Sequence, residues 1–237
     1  MTKLTQTLLA GAAALSLTFT SVVWAAPAGA AAPDANPASA IVAPPAPPAP
    51  AGPLSADEIA GLLFMREEEK VARDVYLTLD QAWDFQIFGN IARSEQSHMD
   101  AVKTLLDRYG IADPAAGNEI GQFTNPDLQA LYDDLTVQGQ ESLAEALRVG
   151  ALIEETDIAD LMDEVATAGH SDIQRVYSQL LQGSGNHLRA FVSTLERQTG
   201  ETYQPQVLDQ AAYDEIIDAA SGGGPGQGGR GRGRGNG

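Results

Sequence analysis

Between about residues 54 and 220, apolar residues recur at intervals of three and four, and no stretch alternates apolar and polar residues as a strand would. Intervals of three and four place apolar side chains on one face of an α-helix. The chain contains no Cys residue, so neither a disulfide nor a thiolate ligand is available to stabilise it. We therefore predict an all-α domain over about 54–220 that is held together by the packing of amphipathic helices.

Local start and stop signals divide this domain into four main helices and one short helix. Ser55 with Glu58 three residues later forms a capping box. Ser171 is the predicted cap of the last main helix, and Pro126 occupies the first position of the short helix. The main helices are predicted over about 55–83, 90–109, 140–168 and 171–198, and the short helix over about 126–137.

The lengths of the connections predict how the main helices are arranged. Short loops join the first helix to the second and the third to the fourth, which makes each pair antiparallel neighbours. The connection between the second and third main helices, about residues 110–139, is long and contains the short helix. One connection of this kind is typical of a ferritin-like four-helix bundle with a long crossover, and this is the architecture that we predict.

The two ends of the chain differ in composition from the domain. Residues 1–25 carry one charge, Lys3, and an apolar run at 8–23, which predicts a secretory signal peptide; a retained membrane anchor is the alternative. Residues 26–53, mostly Ala and Pro, predict a disordered, extended linker, and the Gly/Arg-rich residues 221–237 predict a disordered tail. Cleavage of the signal peptide predicts a periplasmic or secreted protein with no stable membrane span.

The chain is strongly acidic, with 32 Asp and Glu residues against 14 Lys and Arg residues and a formal net charge of −18. Binding to nucleic-acid phosphates needs a basic surface, so we predict no nucleic-acid partner. An acidic body instead favours cations or basic partners. The sequence also contains no phosphate-binding loop, nucleotide fingerprint or nucleophile elbow.

Three of the main helices carry metal-binding residue types on their apolar faces, where an unpaired charge is costly to bury. In the second main helix, Glu95 and His98 lie three residues apart and therefore point the same way. In the third, Glu154 lies on the apolar face and Asp157 follows one turn later. In the fourth, His187 lies among the apolar residues. Packing of these faces would bring the polar groups together.

The first main helix contributes a carboxylate from the run Glu67-Glu68-Glu69. Apolar neighbours at Met65 and Ala72 favour Glu69 as the inward residue, whereas Val71 favours Glu68, so both orientations stay open. Carboxylates and imidazoles at an open site suit iron or manganese and, less selectively, zinc. The predicted function of such a site is to bind or oxidise Fe(II), or to reduce oxygen or peroxide with iron as the electron source.

Several motifs in these helices resemble known families. Glu69-x-x-Ala72-Arg73-x-x-Tyr76 and Ile91-Ala92-x-x-Glu95-x-x-His98 resemble the first-helix and second-helix motifs of rubrerythrin and related ferritin-like di-iron proteins. Longer strings resemble the uncharacterised family DUF2202, which is grouped with ferritin-like proteins; they are Glu67–Tyr76, Ser94–Val102, Val149–Ile158 and Gly183–Phe191. The resemblance covers about residues 55–218 and implies a ferritin-like fold. The family name itself implies no activity.

The resemblance to di-iron proteins also implies a set of metal ligands, namely Glu69, Glu95, His98, Glu154 and His187. The chain departs from the di-iron pattern at Ser184, where the fourth helix would carry the Glu of a second Glu-x-x-His motif. Asp157, one turn from Glu154, could supply the missing oxygen. This departure leaves one ion, two ions or none open.

A second hypothesis makes the Glu/His cluster a structural hydrogen-bond network inside a non-catalytic, tethered helical binding or envelope module. Other polar residues are expected outside this cluster: His170 as a surface residue, and Glu67, Glu68 and Glu155 as solvated or paired with nearby basic side chains. The apolar surface on the first, third and fourth main helices is compatible with a homodimer.

Overall fold

The computed structural model describes residues 52–219, and every regular element in that range is an α-helix. The helices are α1 (Ala56–Trp83), α2 (Gln86–Tyr109), α3 (Pro126–Gly139), α4 (Leu143–Thr167), α5 (Ser171–Thr199) and α6 (Gln210–Asp218). The prediction of an all-α fold is therefore confirmed. The predicted signal peptide, nearly all of the predicted linker and the predicted Gly/Arg-rich tail lie outside the described residues.

The ends of the helices agree with the sequence signals where side chains cap them. The capping box of Ser55 and Glu58 is present at the start of α1. The prediction that Ser171 caps α5 is wrong, because His170 occupies the cap position without a side-chain hydrogen bond and Ser171 is the first helical residue. Helix α2 begins four residues earlier than predicted, after Phe85, which also makes no side-chain cap. Helix α6 was not predicted.

The four long helices pack side by side. Helix α1 packs along α2, and α4 packs along α5, while α1 also contacts α4 and α2 also contacts α5. The short helix α3 lies against α1 and α4, and α6 lies against α5. Among residues 52–219, none of the helices is both long enough and apolar enough to cross a membrane.

The buried apolar residues form two clusters, and these show the direction of each helix. The Leu106 cluster contains Leu62, Met65, Val102, Leu105, Leu106, Leu161, Ala168, Ile173, Tyr177 and Leu180. The Phe88 cluster includes Val75, Leu79, Phe88, Ile91, Leu147, Leu188 and Phe191. Helices α1 and α5 run from the Leu106 cluster to the Phe88 cluster, whereas α2 and α4 run the other way. Helices α2 and α4 therefore run in the same direction, and the chain between them contains α3.

A layer of polar side chains separates the two apolar clusters. All four long helices contribute buried or mostly buried residues to it: Glu69, Glu95, His98, Glu154, Asp157, Ser184 and His187. Burial of so many ionisable groups is expected to be costly unless they bind one another or a ligand. The polar layer is therefore the part of the fold that calls for a functional explanation.

The connection between α2 and α4 is bound to α1 through charged side chains. The Glu67 carboxylate accepts hydrogen bonds from the backbone N–H groups of Thr124 (2.5 Å) and Asn125 (3.0 Å). Arg66 donates two hydrogen bonds to Asp113, at 3.0 and 2.9 Å. Because these contacts satisfy polar groups of a long loop, they hold the connection and α3 against the long helices.

Candidate metal centre

Glu95 and His98 of α2 form the first contact of the centre. Glu95 is 1 % exposed, and its Oε2 atom lies 2.8 Å from His98 Nδ1. The same Nδ1 atom lies 3.2 Å from Glu69 Oε2 of α1. The i, i+3 spacing places both α2 side chains on the same side of the helix, as the sequence predicts. His98 therefore lies between two carboxylates from different helices.

The second oxygen of Glu95 makes the corresponding contact with α5. Glu95 Oε1 lies 2.7 Å from His187 Nδ1, and Glu154 Oε2 of α4 lies 3.4 Å from the same nitrogen. The rings of His98 and His187 are stacked, with centroids 5.5 Å apart and planes inclined by 28°. The Glu95 carboxylate thus connects two equivalent arrangements, each with one imidazole and one further carboxylate.

These contacts define two overlapping sets of potential metal ligands. Glu69, Glu95 and His98 form one set, and Glu95, Glu154 and His187 form the other. In each set, one ligand atom per residue lies within 4.8 Å of the others. The structure brings together five of the six predicted ligands, and these buried Glu and His groups could bind metal ions.

Asp157, the sixth predicted ligand, belongs to neither set among the described residues. Its Oδ2 atom accepts a hydrogen bond of 2.5 Å from Ser184 Oγ, so α4 and α5 are joined at this point. Its Oδ1 atom is buried and has no hydrogen-bond partner within residues 52–219. Asp157 therefore lies beside the two ligand sets with one oxygen uncommitted.

Neighbouring side chains fix the orientation of the candidate ligands. Tyr76 donates a hydrogen bond of 2.6 Å to Glu154 Oε1. Ser94 Oγ lies 2.9 Å from His187 Nε2, so the ring directs its Nδ1 atom toward Glu95. Gly183 of α5 lies directly against the imidazole of His98, where a Cβ atom would come within 2.6 Å of Nε2. Such outer contacts are typical of metal ligands.

The charges of the centre are strongly coupled. Burial alone would raise the pKa of Glu95, but the contacts with His187 and His98 outweigh it and lower this pKa to about 2. Burial opposes protonation of the two histidines, yet their carboxylate neighbours raise the pKa of His98 to about 11 and that of His187 to about 10. Both imidazoles are therefore cations at neutral pH when protons, rather than metal ions, occupy the centre.

The other carboxyl groups of the layer behave differently from Glu95. Burial, followed by the charge of Asp157, raises the pKa of Glu69. Burial and the charge of Glu95 raise the pKa of Glu154. Burial and the charge of Glu154 raise the pKa of Asp157 to about 8. At neutral pH these raised pKa values favour protonated carboxyl groups, and bound metal ions would displace those protons.

The structure resolves the orientation of the acidic run on α1. Glu69 contacts His98, whereas Glu68 is directed toward Asp160 of α4. Burial is the main cause that raises the pKa of Glu68, and the charge and hydrogen bonding of Asp160 raise it further. The prediction that Glu67 and Glu68 are solvated or paired with basic residues is wrong, because both are buried, at 3 % and 6 % exposure. All three consecutive acids are buried because α1 is covered on several sides.

The prediction that Glu155 is solvated or paired with a basic residue is also wrong. Glu155 is completely buried and accepts hydrogen bonds from Tyr203 and from three backbone N–H groups of residues 206–208. His170 is partly exposed, and its Nδ1 atom lies 2.7 Å from Glu58 Oε1. The contacts of Ser94 with His187 and of Gly183 with His98 were not predicted, because helical spacing does not distinguish these two residues from their neighbours.

Comparison with known proteins places the chain in a family. The family model described as "Uncharacterized protein domain (DUF2202)" matches residues 58–220. The chain belongs to the DUF2202 family. This assignment confirms the resemblance to DUF2202 that the longer strings predicted.

A relative with a solved structure supports the family assignment. The chain is 50 % identical over 169 residues to the uncharacterized protein MJ0754 of Methanocaldococcus jannaschii, a match that covers 71 % of this chain and 91 % of the relative. The crystal structure of the hypothetical protein MJ0754 from Methanococcus jannaschii DSM 2661 is similar, with a TM-score of 0.69 and 51 % identity. This similarity covers 71 % of the chain and 96 % of the crystallised chain.

Proposed function

We propose that this DUF2202 protein is a ferritin-like four-helix bundle that binds two divalent metal ions, iron or a similar metal, around Glu95. The observation that carries the proposal is the position of the Glu95 carboxylate, whose two oxygens lie 2.8 and 2.7 Å from the Nδ1 atoms of His98 and His187. Glu69 and Glu154 complete the two sets of ligands. Ferritin-like di-iron sites use carboxylates and histidines from the same four positions of a bundle.

The helix order supports the ferritin-like part of the proposal. Two antiparallel pairs, α1 with α2 and α4 with α5, are joined by one long connection that contains α3. This is the arrangement of bundles with a single long crossover. We infer that the polar layer corresponds to the metal-binding layer of such bundles.

The unsatisfied atoms of the polar layer fit a metal ion. Within residues 52–219, Glu69 Oε1 and Asp157 Oδ1 are buried atoms without a hydrogen-bond partner. Buried polar atoms are usually satisfied, so an ion is a natural partner for this group. Oxygen and imidazole donors suit Fe(II) or Mn(II), and zinc less selectively.

Asp157 is proposed to replace the carboxylate that the fourth helix lacks. Ser184 occupies the position of the missing Glu and donates its hydroxyl to Asp157. A carboxylate from α4 thereby lies next to the position from which α5 would have supplied one. Because Asp157 Oδ1 is uncommitted, a modest side-chain movement would add it to the ligands.

The chain's own residues would hold the ions and exclude water, and the ligands would release their protons when the ions bind. Tyr76 and Ser94 orient Glu154 and His187, and the two apolar clusters close the centre above and below. Bound iron would supply electrons for the reduction of oxygen or peroxide, or Fe(II) would be the substrate that is oxidised. We further propose that the protein acts in the periplasm or outside the cell, as its predicted signal peptide implies.

An anaerobic Fe(II) titration of the purified protein, followed by exposure to oxygen, tests the proposal. We expect about two ions per chain for the wild type, and about one for His98→Ala or His187→Ala, because each variant removes one imidazole ligand. The remaining histidine provides a matched control: His170→Ala should still bind about two ions, since His170 contacts Glu58 at a distance from the centre.

The competing hypothesis, a structural hydrogen-bond network, predicts a different result. In that case neither Fe(II) nor Mn(II) would bind stoichiometrically, and neither would raise the melting temperature. A ligand that binds only the folded state must stabilise it, so metal-dependent stabilisation separates the two hypotheses.

A further inference from the structure

A cavity of about 240 Å³ lies between α1, α3, α4 and residues 206–207. Within the described part of the chain, its lining residues do not come from α2 or α5, the helices that carry His98 and His187. The cavity therefore approaches the polar layer from the side of α1 and α4. It is connected to the centre by Asp157, which contributes to both.

The lining of the cavity is largely apolar, and its polar residues are three acids together with Gln138, Thr156 and Gln206. The apolar part includes Val71, Leu131, Leu135, Leu152 and Val207. Two of the acids that line it, Glu68 and Asp157, are 6 % and 5 % exposed. In the described chain, Glu68 Oε2 and Asp157 Oδ1 are buried and lack a hydrogen-bond partner. Two buried acceptors next to an apolar cavity would bind a ligand's hydrogen-bond donor.

We propose that this cavity binds a small apolar molecule carrying a hydroxyl or amino group, whose donor group contacts Glu68 and Asp157. The further statement that this molecule then lies beside bound metal ions rests on the proposed function above. The size of the cavity and the charges of its lining determine the class of ligand. The hydrogen bonds that fix residues 206 and 207 in its wall favour binding.

The size of the cavity sets the size of the ligand. An apolar cavity of about 150 Å³ in a protein is large enough to bind benzene. A cavity of about 240 Å³ would therefore accommodate a single ring or a short alkyl chain together with its polar group. Dioxygen alone would leave most of this volume unfilled.

The charge of the cavity selects the polar group. The ionisable residues that line it are Glu68, Asp134 and Asp157, and no Lys or Arg contributes to the lining within the described residues. Because no cationic side chain lines the cavity, an anionic head group would be buried without a counter-charge and would leave the two carboxyl oxygens without a donor. A hydroxyl or an amine can donate to them, so a donor head is favoured over a carboxylate head.

The outer wall of the cavity is held in place before any ligand arrives. Val207 and Gln206 line the cavity, and their backbone N–H groups donate to the buried Glu155 carboxylate at 2.7 and 2.8 Å. Tyr203 donates to the same carboxylate at 2.7 Å. A preformed wall lowers the ordering cost of binding.

Binding of hexanol, hexylamine and hexanoate to the whole protein, measured by saturation-transfer NMR and calorimetry, tests the proposal. These probes share one alkyl chain and differ only in the head group. We expect hexanol and hexylamine to bind metal-free protein, and hexanoate to bind at least about tenfold more weakly. Equal binding of the three probes, or no binding of hexanol and hexylamine, would overturn the proposal.

Two variants of the same type locate the binding site. Val207→Trp should fill the cavity and weaken binding of hexylamine at least about tenfold. Val137→Trp is the matched control, because Val137 is 69 % exposed and does not line the cavity. If both variants weaken binding equally, the cavity is not the site.

A third variant tests the role of the carboxyl group. Glu68→Gln keeps the shape of the side chain but adds a hydrogen-bond donor, so it should reduce the preference for hexylamine over hexanoate. An unchanged preference would contradict the proposed contact. The Fe(II) titration is a separate measurement: metal binding without hexylamine binding would overturn only this inference, and the reverse result would overturn only the proposed function.

Discussion

Glu154 and Glu155 are neighbours on α4 and equally inaccessible, yet their partners are of different kinds. Glu155 accepts hydrogen bonds from the Tyr203 hydroxyl and from three successive backbone N–H groups. Glu154 accepts one from Tyr76 and lies 3.4 Å from a histidine that also contacts Glu95. The Glu155 site binds a segment of the chain, whereas the Glu154 site is part of the polar layer.

The difference shows how a structural carboxylate can be told from a candidate ligand. Both are buried, so burial alone does not separate them. The Glu155 carboxylate is surrounded by fixed donors that cannot leave, and it has no need of an ion. In the polar layer, titratable imidazoles are the partners, and several buried atoms have no hydrogen-bond partner among residues 52–219. Protons on imidazoles can be exchanged for metal ions, which makes this group suited to binding.

The largest predicted effect on stability is at Glu155. Glu155→Ala should lower the free energy of unfolding by about 3–5 kcal/mol, because several buried donors lose their acceptor. Urea denaturation measures this, and the loss should be the same with or without metal. Glu145→Ala on the same helix is the control; its side chain is 28 % exposed and pairs with Arg148, so a loss of at most about 0.5 kcal/mol is expected. Equal losses of stability in Glu155→Ala and Glu145→Ala would contradict the structural role of the Glu155 carboxylate.

The second prediction concerns Glu95 and depends on metal. A metal ion at about 100 times its dissociation constant should stabilise the wild type by about 2.7 kcal/mol. Glu95→Gln should abolish this stabilisation, because the amide cannot carry the charge that both ions share. Glu155→Gln should retain it. Thermal unfolding with and without Fe(II) under argon makes the comparison, and metal-dependent stabilisation of Glu95→Gln would refute the proposed role of Glu95.

The polar layer could be predicted from the sequence because helical spacing places its residues. Glu95 and His98 lie three apart on an apolar face, and His187 and Glu154 interrupt the faces of their own helices. The capping box at Ser55 was predictable for the same reason, since all its atoms belong to one turn. Helical spacing and capping patterns depend only on residues of the same helix, so the sequence is sufficient to predict them.

The partners of the structural carboxylates could not be predicted, because they are distant in the sequence. Glu67 binds backbone groups 57 and 58 residues away, and Glu155 binds groups 51 to 53 residues away. The donors are backbone N–H groups, which every non-proline residue carries, so the residue types give no signal. The orientations of Glu68 and Glu69 likewise depend on how α1 is rotated against its neighbours.

The third prediction uses two glycines of α5 that the sequence does not distinguish. A Cβ atom at Gly183 would come within 2.6 Å of His98 Nε2, whereas at Gly185 the nearest atom would be 3.7 Å away. Gly183→Ala should therefore displace His98 and remove about one bound ion per chain. Gly185→Ala should keep both ions and gain about 0.5–1 kcal/mol, since Ala favours the helix. The measurements are metal stoichiometry and urea denaturation.

A result in which Gly183→Ala binds metal like the wild type would show that His98 is not a ligand or has another position. A loss of metal in both variants would instead indicate that any change on α5 disturbs the centre. The two glycine variants together test whether the close contact of Gly183 with His98 is needed for metal binding.

The smallest expected effect is at Glu58, a third carboxylate with backbone donors, where the prediction concerns pH. Glu58 accepts hydrogen bonds from the N–H groups of Gly169 and His170, and from Ser55 at the start of α1. Burial opposes the charged form, but these hydrogen bonds and the His170 side chain lower the pKa of Glu58 from 4.5 to about 2. A lowered pKa means that this group stabilises the folded state above pH 4.5, and that the stabilisation is lost as the pH falls toward 2.

Glu58→Gln should therefore be less stable than the wild type at pH 7, by about 1 kcal/mol as for other helix caps. The difference should shrink between pH 4.5 and 2, the window over which the wild-type carboxylate takes up its proton. Urea denaturation at pH 7, 4.5 and 3 would measure it. A difference that stays constant with pH would mean that Glu58 acts through its shape and not through its charge. In that case Glu58 would not be a structural carboxylate of the same kind as Glu155, and the contrast with the polar layer would rest on Glu155 and Glu67.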